Sequence, residues 1–274
     1  MIPKTLHYVW VGEKEKPALV RSCINSWRKF CPDYEIIEWN NQKLKEIENK
    51  YVKEAFLAQK WAFVSDYVRL YALYHYGGVY CDTDLQLTNS IDQFRVNSFF
   101  TGFENYKGTI SPLTALMGAE QGNPIVKDLL DEYKNLHFIT PDGQFDLTTN
   151  VVRATRYFIN NFSLSPKKCM QDGLLELSSG SVIYPSYYFC TPQLNKQNFA
   201  IHHFNGSWLP DYLEKVIFEI RSDLLNLFNF KLSIFRRTRN MHSQTIPIHT
   251  FEKIVFKIPV FTHKYVIVMT VRKE

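Results

Sequence analysis

Two carboxylates, Asp82 and Asp84, stand one residue apart in the stretch HYGGVYCDTDLQL, residues 75–87. A short strand that enters a core rarely ends in two acids. In an extended strand, residues i and i+2 share a face. Asp82 and Asp84 are therefore expected to project together, with Cys81 and Thr83 opposite and a small kink after Asp82. Adjacent carboxylates repel, and one pKa rises unless a cation neutralises the pair. A divalent metal is the natural cation. Carboxylate oxygens suit Mg²⁺ or Mn²⁺, and an added imidazole favours Mn²⁺. An ion held by two or three protein groups keeps positions open, and phosphate oxygens commonly fill them.

By itself D-x-D is a weak signal and fits a solvated turn better. Three features of the chain weigh against that. Gly77-Gly78 precede the strand and let backbone approach closely. Asp66 and Arg69 lie at i and i+3 among aromatics, just upstream. His202-His203 occur later, beside Gly206, Ser207 and Trp208.

The elements that must position these residues follow from periodicity. TLHYVWVG within 2–12 reads as a strand ending in a glycine turn. Residues 17–31 suit a helix opened by Pro17. EIIEWN, 35–40, is a second strand, and a charged helical segment runs to about residue 58. From Phe56 to Tyr76, apolar residues recur at three-and-four spacing (Ala62, Phe63, Tyr67, Leu70, Tyr71, Tyr74), and Gly77-Gly78 close the helix as a left-handed cap. VYCDTDLQL then reads as one strand. Strands are also expected within 97–105, 114–120 and 181–185, and helices over 124–136 and 151–162. The strand–helix alternation is an α/β pattern with a mostly parallel sheet.

The chain has 274 residues, 45% of them hydrophobic, enough for one large core or one domain with an appendage. Five cysteines, without C-x-x-C spacing, read as small core residues of a reducing, cytoplasmic protein. No apolar run reaches the roughly 20 residues of a membrane span. Residues 1–208 balance 21 Lys+Arg against 21 Asp+Glu, whereas 209–274 carry 11 against 6. The whole net charge of +5 thus sits in the last quarter. An anionic membrane surface or an acidic partner suits it, and nucleic acid does not, since no recognised binding motif accompanies it.

The blocks IPKTLHYVWVG, WAFVSDYVRLYALYHYGGVYCDTDLQL and HHFNGSW together resemble glycosyltransferase family 32. They are also similar to the catalytic domains of the clostridial glucosylating toxins. The resemblance runs from about residue 2 to 208. It implies a GT-A fold over 1–208, a Rossmann-like nucleotide-sugar-binding architecture, followed by a C-terminal amphipathic, basic extension over 209–274. It implies a retaining, metal-dependent transfer of a hexose or N-acetylhexosamine from a nucleotide sugar, UDP-linked first, to a saccharide or lipid-linked saccharide in surface or capsular polysaccharide synthesis. Asp82 and Asp84 match the pair that binds Mn²⁺ (or Mg²⁺) and the donor diphosphate. His203 matches the histidine that completes the metal site, with His202 as the alternative. Asp66 and Arg69 match the pair contacting ribose, base and sugar, with Arg69 assisting departure of the diphosphate. Trp10 falls where an aromatic stacks near the base, with Val11 beside it. Gly78 and Tyr80 fall beside the donor, and Ser207 and Trp208 in a loop that covers the diphosphate. Related sequences often carry Thr-Gly-Pro where this chain has Thr148-Thr149-Asn150. Asn150, Glu104 and Asp172 are further pocket candidates, the two acids reading first as loop acids.

Several of these residues also have purely structural readings. Asp66 and Arg69 fit a buried ion pair, and Trp10 and Tyr80 fit core packing. The segment Leu213–Phe235 reads as amphipathic helix followed by the basic RRTR at 236–239. It fits a helix packed on the catalytic domain, or a peripheral contact through 213–239 with the inner face of a membrane. The last segment, from Phe251, reads as a β-hairpin or as a poorly ordered tail. Rival readings are a toxin-like protein glycosyltransferase, a phosphohydrolase using D-x-D, and a non-catalytic sugar- or metal-binding module. The phosphohydrolase motif normally continues with Thr or Val, and here Leu85-Gln86 follow.

Overall fold

The computed structural model describes residues 1–106, 109–162, 164–178 and 180–205, together with the backbone of three later strands. Alternation in the first strand, β1 (Thr5–Val9), sorts side chains to two cores. Leu6 and Tyr8 face one apolar cluster, and Val9 faces the other. The strand after the main helix, β3 (Gly78–Cys81), behaves alike: Val79 and Cys81 on one side, Tyr80 on the other. A sheet apolar on both faces must be covered on both faces.

Helices supply the cover. α1 (Ala18–Phe30) brings Val20, Cys23, Ile24 and Trp27 to the Leu6 side. α3 (Trp61–Tyr76) brings Phe63, Val64, Val68 and Leu70 to the Val9 side, backed by α2 (Lys50–Leu57). The remaining elements are β2 (Glu35–Trp39), β4 (Leu85–Leu87), β5 (Phe99–Tyr106), β6 (Thr109–Ala119), α4 (Pro124–Asp131), α5 (Asn150–Phe162), α6 (Pro166–Gln171), β7 (Leu175–Ser178), β8 (Ser181–Tyr184), α7 (Ser186–Phe189) and β9 (Ala200–His202). The expected α/β class holds. Seven strands form the central sheet in the order β2-β1-β3-β6-β5-β8-β7. β1 runs parallel to β2 and β3, and β5 parallel to β8. β6 is antiparallel to both β3 and β5, and β7 to β8.

Gly77 and Gly78 are demanded by backbone and space. Gly77 caps α3 at φ 66° and ψ −170°, a combination open only to glycine, rather than in the left-handed helical region. A Cβ on Gly78, at φ 103°, would lie 2.5 Å from the Thr5 carbonyl oxygen. That glycine therefore seats β3 against β1.

The chain divides into Met1–Trp208 and Leu209–Glu274. In the second unit, strands β10 (Phe230–Arg236), β11 (Lys253–Ile258) and β12 (Tyr265–Val271) form an antiparallel sheet with β12 central. The antiparallel β11–β12 pair matches the hairpin, one of the two readings of that segment. Residues 230–236 correct the helical reading of Leu213–Phe235: FKLSIFR alternates and pairs along its length with β12. The rest of that helical reading, 213–229, and the basic cluster past Arg236 lie outside the described residues. Among the described residues no helix is long and apolar enough to cross a membrane. All five cysteines are free and buried.

Candidate functional site

The stretch VYCDTDLQL is not one strand. β3 stops at Cys81, Thr83 and Asp84 turn, and β4 begins at Leu85. The turn closes through Leu85 N–H donating to the Asp82 carbonyl at 2.9 Å. Asp82 stays tied to the sheet, its N–H donating to Ala115 O at 2.8 Å. The two carboxylates therefore converge through a turn and not through strand alternation.

The third partner arrives from far along the chain. β9 pairs antiparallel with β4, placing His202 opposite Leu85. His202 Nε2 lies 3.5 Å from Asp84 Oδ1. One ligand atom each from Asp82, Asp84 and His202 falls within 4.8 Å of the others. A divalent ion about 2.1–2.5 Å from each ligand spans opposite ligands roughly 4–5 Å apart, so this donor set fits one. Nε2 is the His202 nitrogen that faces Asp84, and Nδ1 is buried on the other side of the ring. His203, the expected ligand, is corrected here. It is exposed, its Nε2 is 3.0 Å from Gln86 Oε1, and only its backbone N–H reaches Asp84 O, at 3.0 Å. Neighbouring residues leave a strand in opposite directions, so only one histidine of the pair can join the carboxylates.

Although burial raises the Asp84 carboxyl, the His202 hydrogen bond and charge and the Asn205 N–H at 2.8 Å hold it below its ordinary value. Burial opposes the charge on His202, but Asp84 outweighs it and moves the imidazole up to about 10. Without an ion, a proton on His202 supplies the missing positive charge.

Behind Asp82 stands Arg69, a buried side chain. Its Nη2 is 3.0 Å from Asp66 Oδ1 and 3.2 Å from Asp82 Oδ1. Its Nη1 donates to Thr114 O at 2.7 Å, and Nε and Nη2 reach Ser65 O and Oγ. The guanidinium also covers the Tyr80 ring at 4.7 Å, and the Tyr80 hydroxyl donates to Asp82 Oδ1 at 2.7 Å. Burial works against the Arg69 charge, yet Asp82, Tyr80 and Asp66 push its pKa further up. So Arg69 and Tyr80 both hold Asp82. Asp66 plays a second structural part. Its Oδ2 accepts from Asn150 N at 3.1 Å, and its backbone carbonyl from Asn150 Nδ2 at 3.3 Å, which docks the start of α5. Burial raises the Asp66 carboxyl to about 6, against the pull of Arg69 and that N–H.

Three further candidates are placed by the structure. Gly78 opens β3 at the end of the strand away from Asp82, packed on Thr5. Asn150 is buried on Asp66. Asp172 accepts from Ser186 N–H at 2.6 Å and from its hydroxyl, holding α7 in place.

Trp10 and Val11 follow the carboxyl end of β1, the same sheet edge as Asp82 beyond parallel β3. In open α/β sheets that edge is where ligands bind. Val11 is buried, while Trp10 is half-buried, its Nε1 donating to Lys14 O at 3.0 Å and its ring 5.8 Å from Lys16 Nζ. Ser207 and Trp208 lie outside the described residues. Sequence reasoning missed Thr114 and Ala115, whose carbonyls pin Arg69 and Asp82. They sit where β6 departs from regular pairing, and carbonyl positions leave no mark in residue types.

Residues 17–101 match the model of a family described as a glycosyltransferase sugar-binding region containing a DXD motif. The matched segment carries α1 through the turn of Asp82 and Asp84. Among characterised proteins, the chain is similar to inositol phosphoceramide mannosyltransferases 3 and 1 of Schizosaccharomyces pombe. Identity is 34% over 101 residues for the first and 29% over 102 for the second, each covering 33% of this chain. The alignments span 26% and 30% of those proteins' own lengths. Among solved structures, the chain is similar to the PaToxG glycosyltransferase, with 17% identity, a TM-score of 0.45, and coverage of 59% of this chain and 70% of that one. It is also similar to a glycosyltransferase involved in glycosylation of the major capsid of PBCV-1, with 10% identity, a TM-score of 0.41, and coverage of 78% and 98%.

Proposed function

We propose that the first unit is a GT-A glycosyltransferase that moves a hexose from a nucleotide sugar to a saccharide or lipid-linked saccharide acceptor. One observation carries this reading. Within and beside the segment matching a DXD sugar-binding region, Asp82, Asp84 and His202 converge at the carboxyl edge of the parallel strands. Asp82, Asp84 and His202 would hold a divalent cation, Mn²⁺ or Mg²⁺, which when bound neutralises charge on a departing diphosphate. The chain's own residues do the rest. Arg69 and Tyr80 fix Asp82, and Asn205 N–H and His202 fix Asp84, so the carboxylates need no rearrangement as charge develops. Trp10 offers a ring face on the same edge for a base. The reading is of retaining transfer, in which the leaving oxygen takes the acceptor proton.

UDP-sugars are the donor class put first, with surface polysaccharide synthesis as the setting. The names of the two fungal relatives support a second donor reading, mannosyl transfer from GDP-mannose. The test is thermal stability and sugar-nucleotide turnover with Mn²⁺, across UDP- and GDP-sugars, for wild type and the Asp82→Ala, Asp84→Ala double variant. The reading expects one donor to raise the wild-type Tm and to be turned over, with neither effect in the double variant. No shift with any nucleotide, with or without Mn²⁺, would put a non-catalytic binding module ahead.

A further inference from the structure

β5 and β3 both flank β6 and both run antiparallel to it, so they point the same way. Glu104 on β5 therefore approaches the edge at which Asp82 leaves β3. The pairing of β5 with β6 is irregular just before it. Thr101 pairs with Met117, but Phe103 pairs with Pro112, and Gly102 alone faces Leu113–Leu116. Bulges beside active sites re-aim side chains. This one is pinned from three directions. The Thr101 hydroxyl lies 2.6 Å from Leu113 O and 2.7 Å from Leu116 O, Arg69 donates to Thr114 O, and Asp82 N–H donates to Ala115 O. The same bulge thus ties the carboxylate hub to the strand that carries Glu104.

Past the bulge, Glu104 pairs with Ser111, whose hydroxyl donates to Glu104 Oε1 at 3.1 Å. Burial raises the pKa of its carboxyl, and the charges of His202, Asp82 and Arg69 act on it as well. It is not one of the three residues whose ligand atoms gather within 4.8 Å. Past the bulge, at the sheet edge where Asp82 leaves β3, Glu104 stands outside the ion-binding group.

We infer that Glu104 is a substrate-reading residue, whose carboxyl takes a hydroxyl of the sugar being transferred. The inference rests on the transferase reading above. The sugar is attached to the diphosphate, and the diphosphate is what the Asp82–Asp84–His202 group would face. A carboxyl just beyond that group meets the sugar's hydroxyls, and a hydrogen-bonding site for a hydroxyl discriminates strongly against sugars that misplace it.

The experiment compares wild type, Glu104→Gln, Glu104→Ala and Ser111→Ala. Calorimetric titration with UDP and with GDP, each with Mn²⁺, reads the nucleotide site. Turnover of UDP-glucose, UDP-galactose and GDP-mannose reads the sugar site. The expected result is unchanged nucleoside diphosphate affinity in all variants. In Glu104→Ala, kcat/KM for the preferred donor falls about tenfold or more and the preference between the epimers UDP-glucose and UDP-galactose collapses. Glu104→Gln, which keeps a carbonyl acceptor, and Ser111→Ala, which only releases the carboxyl, fall in between. These two milder variants decide if Glu104→Ala does not fold. Variants that bind UDP or GDP and turn over the same sugars in the wild-type ratio overturn the inference and leave the transferase reading standing. A wild type that binds neither nucleotide with Mn²⁺ overturns the transferase reading and this inference with it.

Discussion

Arg69 grips Asp82 from inside the protein. Nη2 stands 3.2 Å from Oδ1, and Nη1 reaches Oδ2 at 3.5 Å. The same guanidinium holds Asp66, and Asp66 in turn docks the first turn of α5. One buried cation thus links a carboxylate of the site to the packing of a helix. Removing one member of a buried, hydrogen-bonded ion pair costs about 3–5 kcal/mol, because the other charge is stranded. Arg69→Met should therefore lower stability by that order, seen as a fall in the urea midpoint. Arg69→Lys keeps the charge but not the fork of donors. It should fold and still lose Mn²⁺ affinity, and a variant with unchanged Mn²⁺ titration would show that Asp82 needs no support from behind.

Asp82 and Asp84 should each be required for metal-dependent stabilisation. Asp82→Asn and Asp84→Asn preserve shape and remove charge. Wild type should show a rise in Tm with Mn²⁺ that saturates, and each variant should show little or none. Chelator should abolish the wild-type rise. The idea fails if the rise survives in both variants.

His202 and His203 separate cleanly by substitution. His202→Ala should weaken Mn²⁺ binding by at least about tenfold, a loss that even residues supporting a metal ligand produce. His203→Ala removes only the exposed contact to Gln86 and should leave Mn²⁺ affinity within about twofold, since exposed contacts are worth little. Equal losses in the two variants would contradict the placement of His202 opposite Leu85.

His7 is buried and neutral, its Nε2 2.9 Å from Gly77 O and its Nδ1 accepting from Trp39 Nε1 at 3.3 Å. Burial lowers its pKa from 6.5 to about 4. Between those values the unfolded chain takes up a proton that the folded one refuses. The stabilisation is complete above pH 6.5 and is lost as pH falls towards 4, by roughly 3 kcal/mol in all. Urea unfolding at pH 7 and pH 4.5 should show this loss in wild type, beyond that seen in His7→Gln. Parallel losses in the two proteins would rule His7 out as the titrating group.

Much of the architecture was legible along the chain. The three-and-four spacing before Gly77 marks α3 because a helix with two buried flanks must be apolar at those positions. The positive φ of Gly77 explains why the helix stops there. Asp66, Arg69, Asp82 and Asp84 were identifiable as a group because charged residues embedded in such apolar surroundings need partners. α6 and β7 escaped notice, being too short for periodicity to register. The strand written through VYCDTDLQL failed because alternation cannot reveal a turn held by one backbone hydrogen bond, Leu85 N–H to Asp82 O.

The sequence by itself determined which residue types are present for chemistry: paired acids, a buried arginine, two adjacent histidines, an aromatic after β1. Tertiary structure decided which of them meet. The pairing of β9 with β4 chose His202 over His203, and the irregular pairing of β5 with β6 set the carbonyls of Thr114 and Ala115 on Arg69 and Asp82. Those choices depend on strand register between segments up to 117 residues apart, as between Gln86 and His203. A shift of one residue reverses every side chain, and local periodicity holds no record of which register long-range packing selects.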